Sequence, residues 1–467
     1  MLLLTGARAR QLEARHGARC CNSACCALDA TARAATAGAA STAPGAPGRR
    51  KRFADSAAQP QAPPAANTAP LVVTERGVAV DVRGAFFRSQ TAHARDLAVL
   101  AALLLRRSSS NGELRVLDVM TGAGIRAARY LLHAGATSVH ANDLDGASRA
   151  AANLEAALAA AAAAGMPRRG AWSFTREESC RLLMRLALEG QTFHVVDVDG
   201  FGSRGVPAGL ALGIVAFGGV LVLNSTDWAL GAQHAGDGAS LAAAYGAHVH
   251  PCPAAPEQGL RVLLGGVARE AAQRGLRIEP LLSYYAPGPA WRVMVRVYRG
   301  AAARCTAQLG FNAHCKQCGA GWHLRWRDLG GSLCTCGAAP TLSGPLWHGP
   351  LHDAEALRGV TALAEELGWL ESPPYEPGTL PPAQRLPRLA LRKLLALLQQ
   401  EADDALPPLY VRLEDVARFG KTATPPRDKL IEALRARGHA AAQTHCDERA
   451  LKTSAPWGDV LAAARDA

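Results

Sequence analysis

Apolar positions after residue 68 alternate between short continuous runs and longer segments of helical spacing. Short runs rich in β-branched residues predict buried strands, and the Ala- and Leu-rich segments between them predict helices. The predicted strands are 78–82, 116–119, 138–142, 171–174, 193–198, 219–223, 278–283 and 291–298. The predicted helices in this part of the chain are 98–105, 125–133 and 147–163. This alternation predicts an α/β fold with a mostly parallel, doubly wound sheet that ends near residue 300.

The stretch 115–145 joins a strand, a glycine turn, a helix and a second strand. Gly122 and Gly124 lie in the turn, where the backbone can approach a ligand closely because there is no side chain. Asp143 follows the second strand and can accept hydrogen bonds from ribose hydroxyls, while the helix N-terminus can hold an anionic group. We therefore predict a Rossmann-like nucleotide site. Three interpretations fit this pattern. Gly122, Gly124 and Ala127 meet the spacing of an NAD site, S-adenosylmethionine uses the same geometry, and the turn could also serve packing alone.

Acidic residues follow several of the predicted strands. They are Asp118, Asp143, Glu178, Asp199 and Asp227. Ligands of open α/β sheets bind outside the carboxyl ends of the strands, so we expect these side chains to converge on one crevice.

Asp199, Gly200 and Phe201 follow the fourth strand of this predicted sheet. An acid next to an aromatic ring suits methylation of an exocyclic amine, a weak nucleophile because its lone pair is delocalised into the base. Asp199 can accept hydrogen bonds from the amine, orient its lone pair and take up the released proton. Phe201 can stack on the base, and the sulfonium of S-adenosylmethionine would supply the electrophile. The alternative is a turn acid that caps a neighbouring helix.

Two close cysteine pairs, separated by 15 residues, occur after the predicted sheet. The four cysteines are Cys315, Cys318, Cys334 and Cys336. Their spacing predicts a zinc ribbon with a structural Zn²⁺ ion. Because the second pair is one residue tighter than the usual C-x-x-C knuckle, His323 and Cys305 are alternative ligands to Cys334.

Length and composition set further bounds. A chain of 467 residues can form two or three domains with proper cores. No apolar run approaches the roughly 20 residues of a membrane helix, so we expect no membrane contact. The net charge of +12 and the pI of about 9.4 suit a polyanionic partner such as RNA, although part of the charge lies in the N-terminal segment.

Residues 1–68 are rich in Ala, Arg, Ser and Thr and poor in acids, which predicts no folded domain. This composition is typical of a transit segment for a chloroplast or mitochondrion. The basic run 49–52 fits a nuclear signal instead, and generic disorder is equally compatible with the pattern.

The C-terminal segment 354–467 combines helical periodicity with basic residues. Its predicted helices are 354–367, 388–401 and 426–437, with a proline-rich linker at 372–387. A proline pair before the last helix and a β-wing after it predict a winged-helix-like α+β domain. Lys421, His445 and Lys452 are candidates for an RNA-phosphate surface, and a solvated basic face is the alternative.

These motifs resemble, in their order and spacing, those of the tRNA (guanine(26)-N2)-dimethyltransferases. The segment 197–202, DVDGFG, is similar to that family's D-L-D-P-Y-G motif. The other similar segments are 95–97, 121–126, 141–143, 225–227, 245–246, Glu257 with Arg261, 279–283, 344–353, 444–445 and 452–453. The likeness extends from about residue 78 to the C-terminus.

The resemblance implies a domain order and a set of roles. Residues 69–300 would form a class I S-adenosylmethionine-dependent methyltransferase domain, 301–353 the zinc-ribbon segment and 354–467 a tRNA-binding domain. Asp199 and Phe201 would be catalytic, in the methylation of guanine N2 at position 26 of tRNA, once or twice. The implied cofactor-binding residues are Arg95, Gly122, Gly124, Arg126, Asp143, Glu178 and Ser179. We expect a monomer.

Two departures from the family pattern bear on activity. Its N-P-x-Q-x-x-N-R-D-L motif reads RSQTAHARDL at 88–97, and Gly200 replaces the proline of the catalytic turn. They predict altered substrate selection or weak activity, and a tRNA-binding protein without catalysis is the alternative. An NAD-dependent oxidoreductase ranks last, because no hydride-transfer base is evident and the cysteine pairs would have no role.

Overall fold

A computed structural model describes residues 71–166, 170–200, 207–231, 237–381 and 384–466. All of these residues lie in one compact unit, Pro63–Ala467. The predictions for residues 1–68 and for Phe201 fall outside the described residues.

The N-terminal strands β1 (Val72–Glu75) and β2 (Val78–Asp81) form an antiparallel hairpin. A seven-stranded sheet follows. Its strands are β3 (Arg115–Asp118), β4 (Ser138–Asn142), β5 (Ala171–Thr175), β6 (Phe193–Asp199), β7 (Val215–Ser225), β8 (Leu276–Ala286) and β9 (Ala290–Arg299). They lie in the order β5-β4-β3-β6-β7-β9-β8, with β9 antiparallel to both of its neighbours and the other pairs parallel. The strand order reverses at β3, which creates a ligand crevice at the carboxyl ends and confirms the predicted Rossmann-like sheet.

Helices cover both faces of this sheet. They are α1 (Ala92–Ser108), α2 (Ile125–Leu132), α3 (Ala147–Ala163), α4 (Ser179–Leu188), α5 (Ala208–Leu212), α6 (Asp237–Tyr245), α7 (Ala255–Gln273) and α8 (Ala302–Thr306). Successive strand residues point to opposite faces, so Val116 joins the core under α1 and α2 while Leu117 joins the core under α4 and α7. The bounds of β4 and α3 are those predicted. Helix α7 was not predicted, and neither was α4, which begins at Ser179.

Two smaller sheets follow the large one. The first contains β10 (Leu309–His314), β11 (Gly321–Leu324) and β12 (Thr341–Trp347). Helices α9 (Ala354–Glu366) and α10 (Leu391–Glu401) then return to the core around α1. The last elements are β13 (Val411–Arg412), α11 (Leu413–Gly420), α12 (Arg427–Ala436), β14 (Ala441–Gln443), β15 (Ala450–Thr453) and α13 (Trp457–Asp466). They enclose a core of their own, which agrees with the predicted α+β arrangement of this segment. Among the described helices, none has the length and apolarity needed to cross a bilayer.

Candidate active site

The glycine turn between β3 and α2 brings its backbone against the acid that ends β4. Gly122 and Gly124 have φ angles of 57° and 81°, which favour glycine over any residue with a Cβ. The N–H of Gly122 donates to Asp143 Oδ2 at 2.8 Å, and Asp143 Oδ1 accepts from the N–H of Gly146 at 2.7 Å. A Cβ on Gly122 would lie 2.9 Å from the carbonyl oxygen of Phe86, so this position requires glycine for its close packing as well as for its φ angle.

This turn fits the methyl donor S-adenosylmethionine. Helix α2 begins after Gly124 with no capping side chain among the described residues, which leaves N-terminal N–H groups for an anionic carboxylate. Asp143 is only half-buried and follows the neighbouring strand, where its carboxylate can accept the hydroxyls of a ribose. The turn and this acid are therefore the residues that would hold the cofactor.

Arg126, on the first turn of α2, holds the predicted catalytic acid. Its Nη1 donates to Asp197 Oδ1 at 2.9 Å and its Nη2 donates to Asp199 Oδ2. Burial raises the pKa of Asp199, but the charges of Arg126 and Arg292 and the hydrogen bonds outweigh it and lower that pKa to about 2. Asp199 is thus a charged carboxylate at neutral pH. Arg126, predicted as a cofactor ligand, is placed as the counter-charge of the acid pair.

Burial raises the pKa of Asp118, at the end of β3, to about 7; Arg126 opposes this rise and Asp197 adds to it. Thr121 donates from its hydroxyl to Asp118 Oδ2 at 2.7 Å. Three carboxylates, those of Asp118, Asp197 and Asp199, therefore surround the guanidinium of Arg126. The pKa of Asp118 lies closer to neutral pH than that of Asp199.

A row of polar side chains crosses the sheet from Asp199. Asn224 on β7 pairs in register with Asp199 on β6, and Arg292 on β9 pairs in register with Asn224. The amide Nδ2 of Asn224 donates to Asp199 Oδ1. Arg292 is 4 % exposed and lies over the ring of Tyr284, with 5.5 Å from its guanidinium carbon to the ring centroid. Sequence reasoning missed Arg292, which is one of two arginines in the otherwise apolar run 291–298.

The row opens into a cavity at the carboxyl ends of β6 and β7. Its wall also includes the loop after β2 and the turn between β8 and β9. The lining residues are Phe86, Arg88, Gln90, Thr91, Asp199, Gly200, Asn224, Thr226, Ala286, Pro287, Gly288, Ala290 and Arg292. Phe86 also touches the glycine turn, so the cavity adjoins the cofactor crevice. An acceptor molecule in this cavity would meet Asp199 on one side and the cofactor turn on another.

Three predicted cofactor residues have protein partners. The guanidinium of Arg95 is buried against Glu75, with Nε 2.9 Å from Oε1, and its Nη1 donates to Thr91 Oγ1 at 2.6 Å. Glu178 is exposed and caps α4, because its carboxylate accepts the N–H groups of Cys180 and Arg181, each at 3.0 Å. The hydroxyl of Ser179 donates to the same carboxylate at 2.9 Å. Cofactor contacts from these three side chains stay predictions.

The four predicted zinc ligands converge. The Sγ atoms of Cys315, Cys318, Cys334 and Cys336 all lie within 4.8 Å of one another. The closest pairs are 3.4 and 3.5 Å apart, near the roughly 3.8 Å between sulfurs of a tetrahedral Zn–S₄ site with 2.3 Å bonds. The donor set therefore fits Zn²⁺. Cys334 is a member despite the tight spacing, whereas His323 packs against His348 and the side chain of Cys305 lies outside those described.

Two predicted RNA contacts are wrong, because their side chains are buried. The Nζ atom of Lys452 lies 2.8 Å from Glu257 Oε1, and the side chain of Lys452 is 3 % exposed. His445 donates from Nδ1 to Glu401 Oε2 at 2.6 Å and accepts the N–H of Tyr285 at Nε2. Both groups join the C-terminal segment to other parts of the unit. Lys421, at the end of α11, is exposed, and its contact with RNA stays a prediction.

Comparisons with known proteins agree with this geometry. The model of the family "N2,N2-dimethylguanosine tRNA methyltransferase" matches residues 69–465. A tRNA (guanine(26)-N(2))-dimethyltransferase of Aeropyrum pernix is 33 % identical over 375 residues, which are 79 % of this chain and 86 % of that protein. Its counterpart in Thermococcus kodakarensis is 30 % identical over 386 residues, 78 % of this chain and 89 % of the relative.

A solved structure is similar over nearly its whole length. Trm1 from Pyrococcus horikoshii, in complex with S-adenosyl-L-methionine, superposes with a TM-score of 0.66 at 26 % identity. The match covers 84 % of this chain and 99 % of that one. The family match, the relatives and the shared fold favour methyl transfer over the oxidoreductase alternative. The chain belongs to the N2,N2-dimethylguanosine tRNA methyltransferase family.

Proposed function

We propose that this protein transfers methyl groups from S-adenosylmethionine to N2 of guanosine 26 in tRNA, giving N2-methylguanosine and N2,N2-dimethylguanosine. The observation that carries the proposal is a charged carboxylate, Asp199, on the wall of a cavity that adjoins the glycine turn. The names of the relatives in Aeropyrum and Thermococcus supply the base and the position.

The cofactor, when bound, supplies a methyl group on a cationic sulfur. Asp199 accepts a hydrogen bond from an N–H of the guanine amine. This contact turns the lone pair of the amine nitrogen away from the carboxylate and toward the cofactor side of the cavity. Its negative charge stabilises the positive charge that develops on N2. The alkylated amine is a cation whose lone pair has formed the new N–CH3 bond, and it is a strong acid because loss of a proton returns a lone pair to conjugation with the ring. Asp199 can therefore take this proton despite its low pKa.

Arg126 and Asn224 act on the same carboxylate. Arg126 fixes Oδ2 and Asn224 fixes Oδ1, so the plane of the carboxylate is set from both sides. A carboxylate has about four lone-pair positions, which leaves acceptor capacity toward the cavity for the substrate amine. Gly200, which the family pattern would have as proline, makes the turn after Asp199 more dependent on these two contacts.

Zinc in the four-cysteine cluster is proposed as a structural ion. The cluster packs against the C-terminal core, because the indole N–H of Trp457 donates to the carbonyl of Cys318 at 2.7 Å. A Cβ on Gly319 would lie 2.3 Å from the ring of Phe419, which shows how closely the knuckle and α11 approach. Four thiolates fill a tetrahedral coordination sphere, so the ion would hold this contact rather than bind substrate.

The partner and the setting of the protein complete the proposal. The net charge of +12 favours tRNA, and Lys421 is an exposed candidate for a phosphate contact. We expect a monomer, which sedimentation of the full chain would test. Residues 1–68 are proposed to direct the protein to a chloroplast or mitochondrion, with the nucleus as the alternative, and microscopy of a fluorescent fusion with and without this segment would distinguish them.

A methylation assay on unmodified tRNA tests the proposed function. The wild type should incorporate labelled methyl groups, and Asp199→Asn should lose roughly 10²–10⁴-fold in rate while it still binds S-adenosylmethionine. Calorimetry separates catalysis from mere binding. A wild-type chain that binds tRNA but neither binds nor consumes the cofactor would overturn the proposal in favour of a tRNA-binding protein without catalysis.

A further inference from the structure

Arg292 is a buried cation, and two of its three donor nitrogens lack an acceptor in the part of the chain that the structure describes. Its Nε and Nη1 atoms are buried and have no hydrogen-bond partner among the described residues. Unsatisfied buried donors cost free energy, and an ordered group that accepts from them removes this cost. The guanidinium lines the cavity that holds Asp199, so the missing acceptor can come from a molecule bound there.

The position of Arg292 in the sheet relates it to the attacking amine. Arg292 is two strands from Asp199, with Asn224 between them in register. Strands are about 4.8 Å apart, so the two backbones lie about 10 Å apart, and side chains in register point to the same face of the sheet, where both line the cavity. The ring of Tyr284 supports the guanidinium from behind, which limits the directions in which it can donate.

The polar groups of the row match one base edge. The Watson–Crick edge of guanine presents the N2 amine and N1–H as donors, followed by O6 as an acceptor. Asp199 offers an acceptor, the buried Oδ1 of Asn224 has no partner among the described residues, and Arg292 offers donors at the far end. Adenine would place an amine donor against Arg292 and an unprotonated N1 against the acceptors, which leaves both sides mismatched.

We propose that Arg292 donates a hydrogen bond to O6 of the target guanine and thereby selects guanine over bases that lack this oxygen. This assignment rests on the proposed function, because it presumes that a guanine enters the cavity. Arg292 is then a specificity-determining residue. Arg88, the other arginine of the cavity wall, stacks over Phe86, with 5.3 Å to its ring centroid, and is engaged at the outer loop.

A substrate-analogue cycle tests the assignment. The full-length wild type and Arg292→Met are assayed on ligated tRNA that carries guanosine or 2-aminopurine riboside at position 26. Both bases have the N2 amine, but 2-aminopurine lacks O6. The wild type should prefer guanosine in kcat/KM, and Arg292→Met should reduce that preference about ten- to hundredfold, mainly by a loss on guanosine. Arg292→Lys, which keeps one donor, should lose less.

Arg296 provides a matched control, because it is on the same strand and face but outside the cavity wall. Arg296→Met should leave the guanosine preference unchanged. If Arg292→Met lowered kcat/KM equally on both bases, the assignment would be overturned. The residue would then contact a phosphate or support Asp199. An unchanged preference would overturn it as well. A wild type that methylates neither tRNA would overturn the proposed function itself, and the assignment with it.

Discussion

Replacement of Arg126 by glutamine should make methyl transfer sensitive to acid. Arg126 donates to both Asp197 and Asp199, and it lies 3.9 Å from Asp118. Two unit charges about 4 Å apart interact by about 4 kcal/mol at an effective dielectric constant of 20, which corresponds to about 3 pKa units. The side chain of Asp199 is 23 % exposed, and solvent screening reduces the expected shift to roughly 2–3 units.

The sign of the effect follows from the role of the carboxylate. The pKa of Asp199 should rise from about 2 to roughly 4–5 when the guanidinium is lost. Only the ionised form accepts the substrate amine, so the variant should lose activity as the pH falls below roughly 5.5. The wild type should show no contribution from Asp199 in that range. Initial rates at saturating tRNA and S-adenosylmethionine between pH 4.5 and 8 measure the difference.

Two controls separate this pH effect from a loss of folding and from a loss of cofactor binding. Arg126→Lys keeps a positive charge near the acids and should keep the acid limb close to that of the wild type. Loss of one partner from a buried ion cluster costs about 3–5 kcal/mol of folding free energy, so circular dichroism must show that Arg126→Gln is folded at each pH. A raised KM for S-adenosylmethionine with an unchanged pH profile would refute the reasoning and restore Arg126 as a cofactor ligand.

Three further predictions concern stability and metal. The raised pKa of Asp118 means that the folded state binds its proton more tightly than the unfolded chain does, so the wild type should lose roughly 1 kcal/mol of stability as the pH rises from 6 to 8. Denaturant titration should show that Asp118→Asn loses less stability over this range. Full-length protein should contain one zinc ion per chain by elemental analysis, and Cys318→Ser should release it and alter the fluorescence of Trp457, whereas unchanged metal content would contradict the site. Lys452→Met should destabilise by roughly 1–3 kcal/mol, because buried Glu257 loses one of its two cationic partners and keeps Arg261. The salt dependence of tRNA binding should not change, and a weaker salt dependence with unaltered stability would restore the surface role.

The sheet and its crevice could be predicted because local patterns encode them. Strands β3, β4 and β6 are short apolar runs, and the acids that follow them meet wherever parallel strands end. Asp143 and Asp199 were found in this way. Helix α7 was not, because Gly265 and Gly266 weaken the helical signal. Gly265 is required by tertiary packing, because a Cβ at this position would lie 3.3 Å from the Cα of Leu346 on β12.

The partners of charged residues could not be predicted, because they are distant in sequence. Lys452 finds Glu257, 195 residues earlier, and Arg95 finds Glu75, 20 residues earlier. A basic residue in a basic segment indicates a nucleic-acid surface, and the sequence does not show that the residue is instead buried in an ion pair with an acid on another element. The role of Arg292 could not be predicted for the same reason, since only the register of β9 against β7 places it beside Asn224.

Mass spectrometry of nucleosides tests the central claim most directly. Unmodified tRNA would be incubated with the full-length protein and S-adenosylmethionine that carries a labelled methyl group, and then digested to nucleosides. Labelled N2-methylguanosine should appear first and N2,N2-dimethylguanosine after it. Both should form roughly 10²–10⁴-fold more slowly with Asp199→Asn and be absent with tRNA that lacks guanosine at position 26. Label on another base, or the same products from Asp199→Asn at the wild-type rate, would contradict the claim.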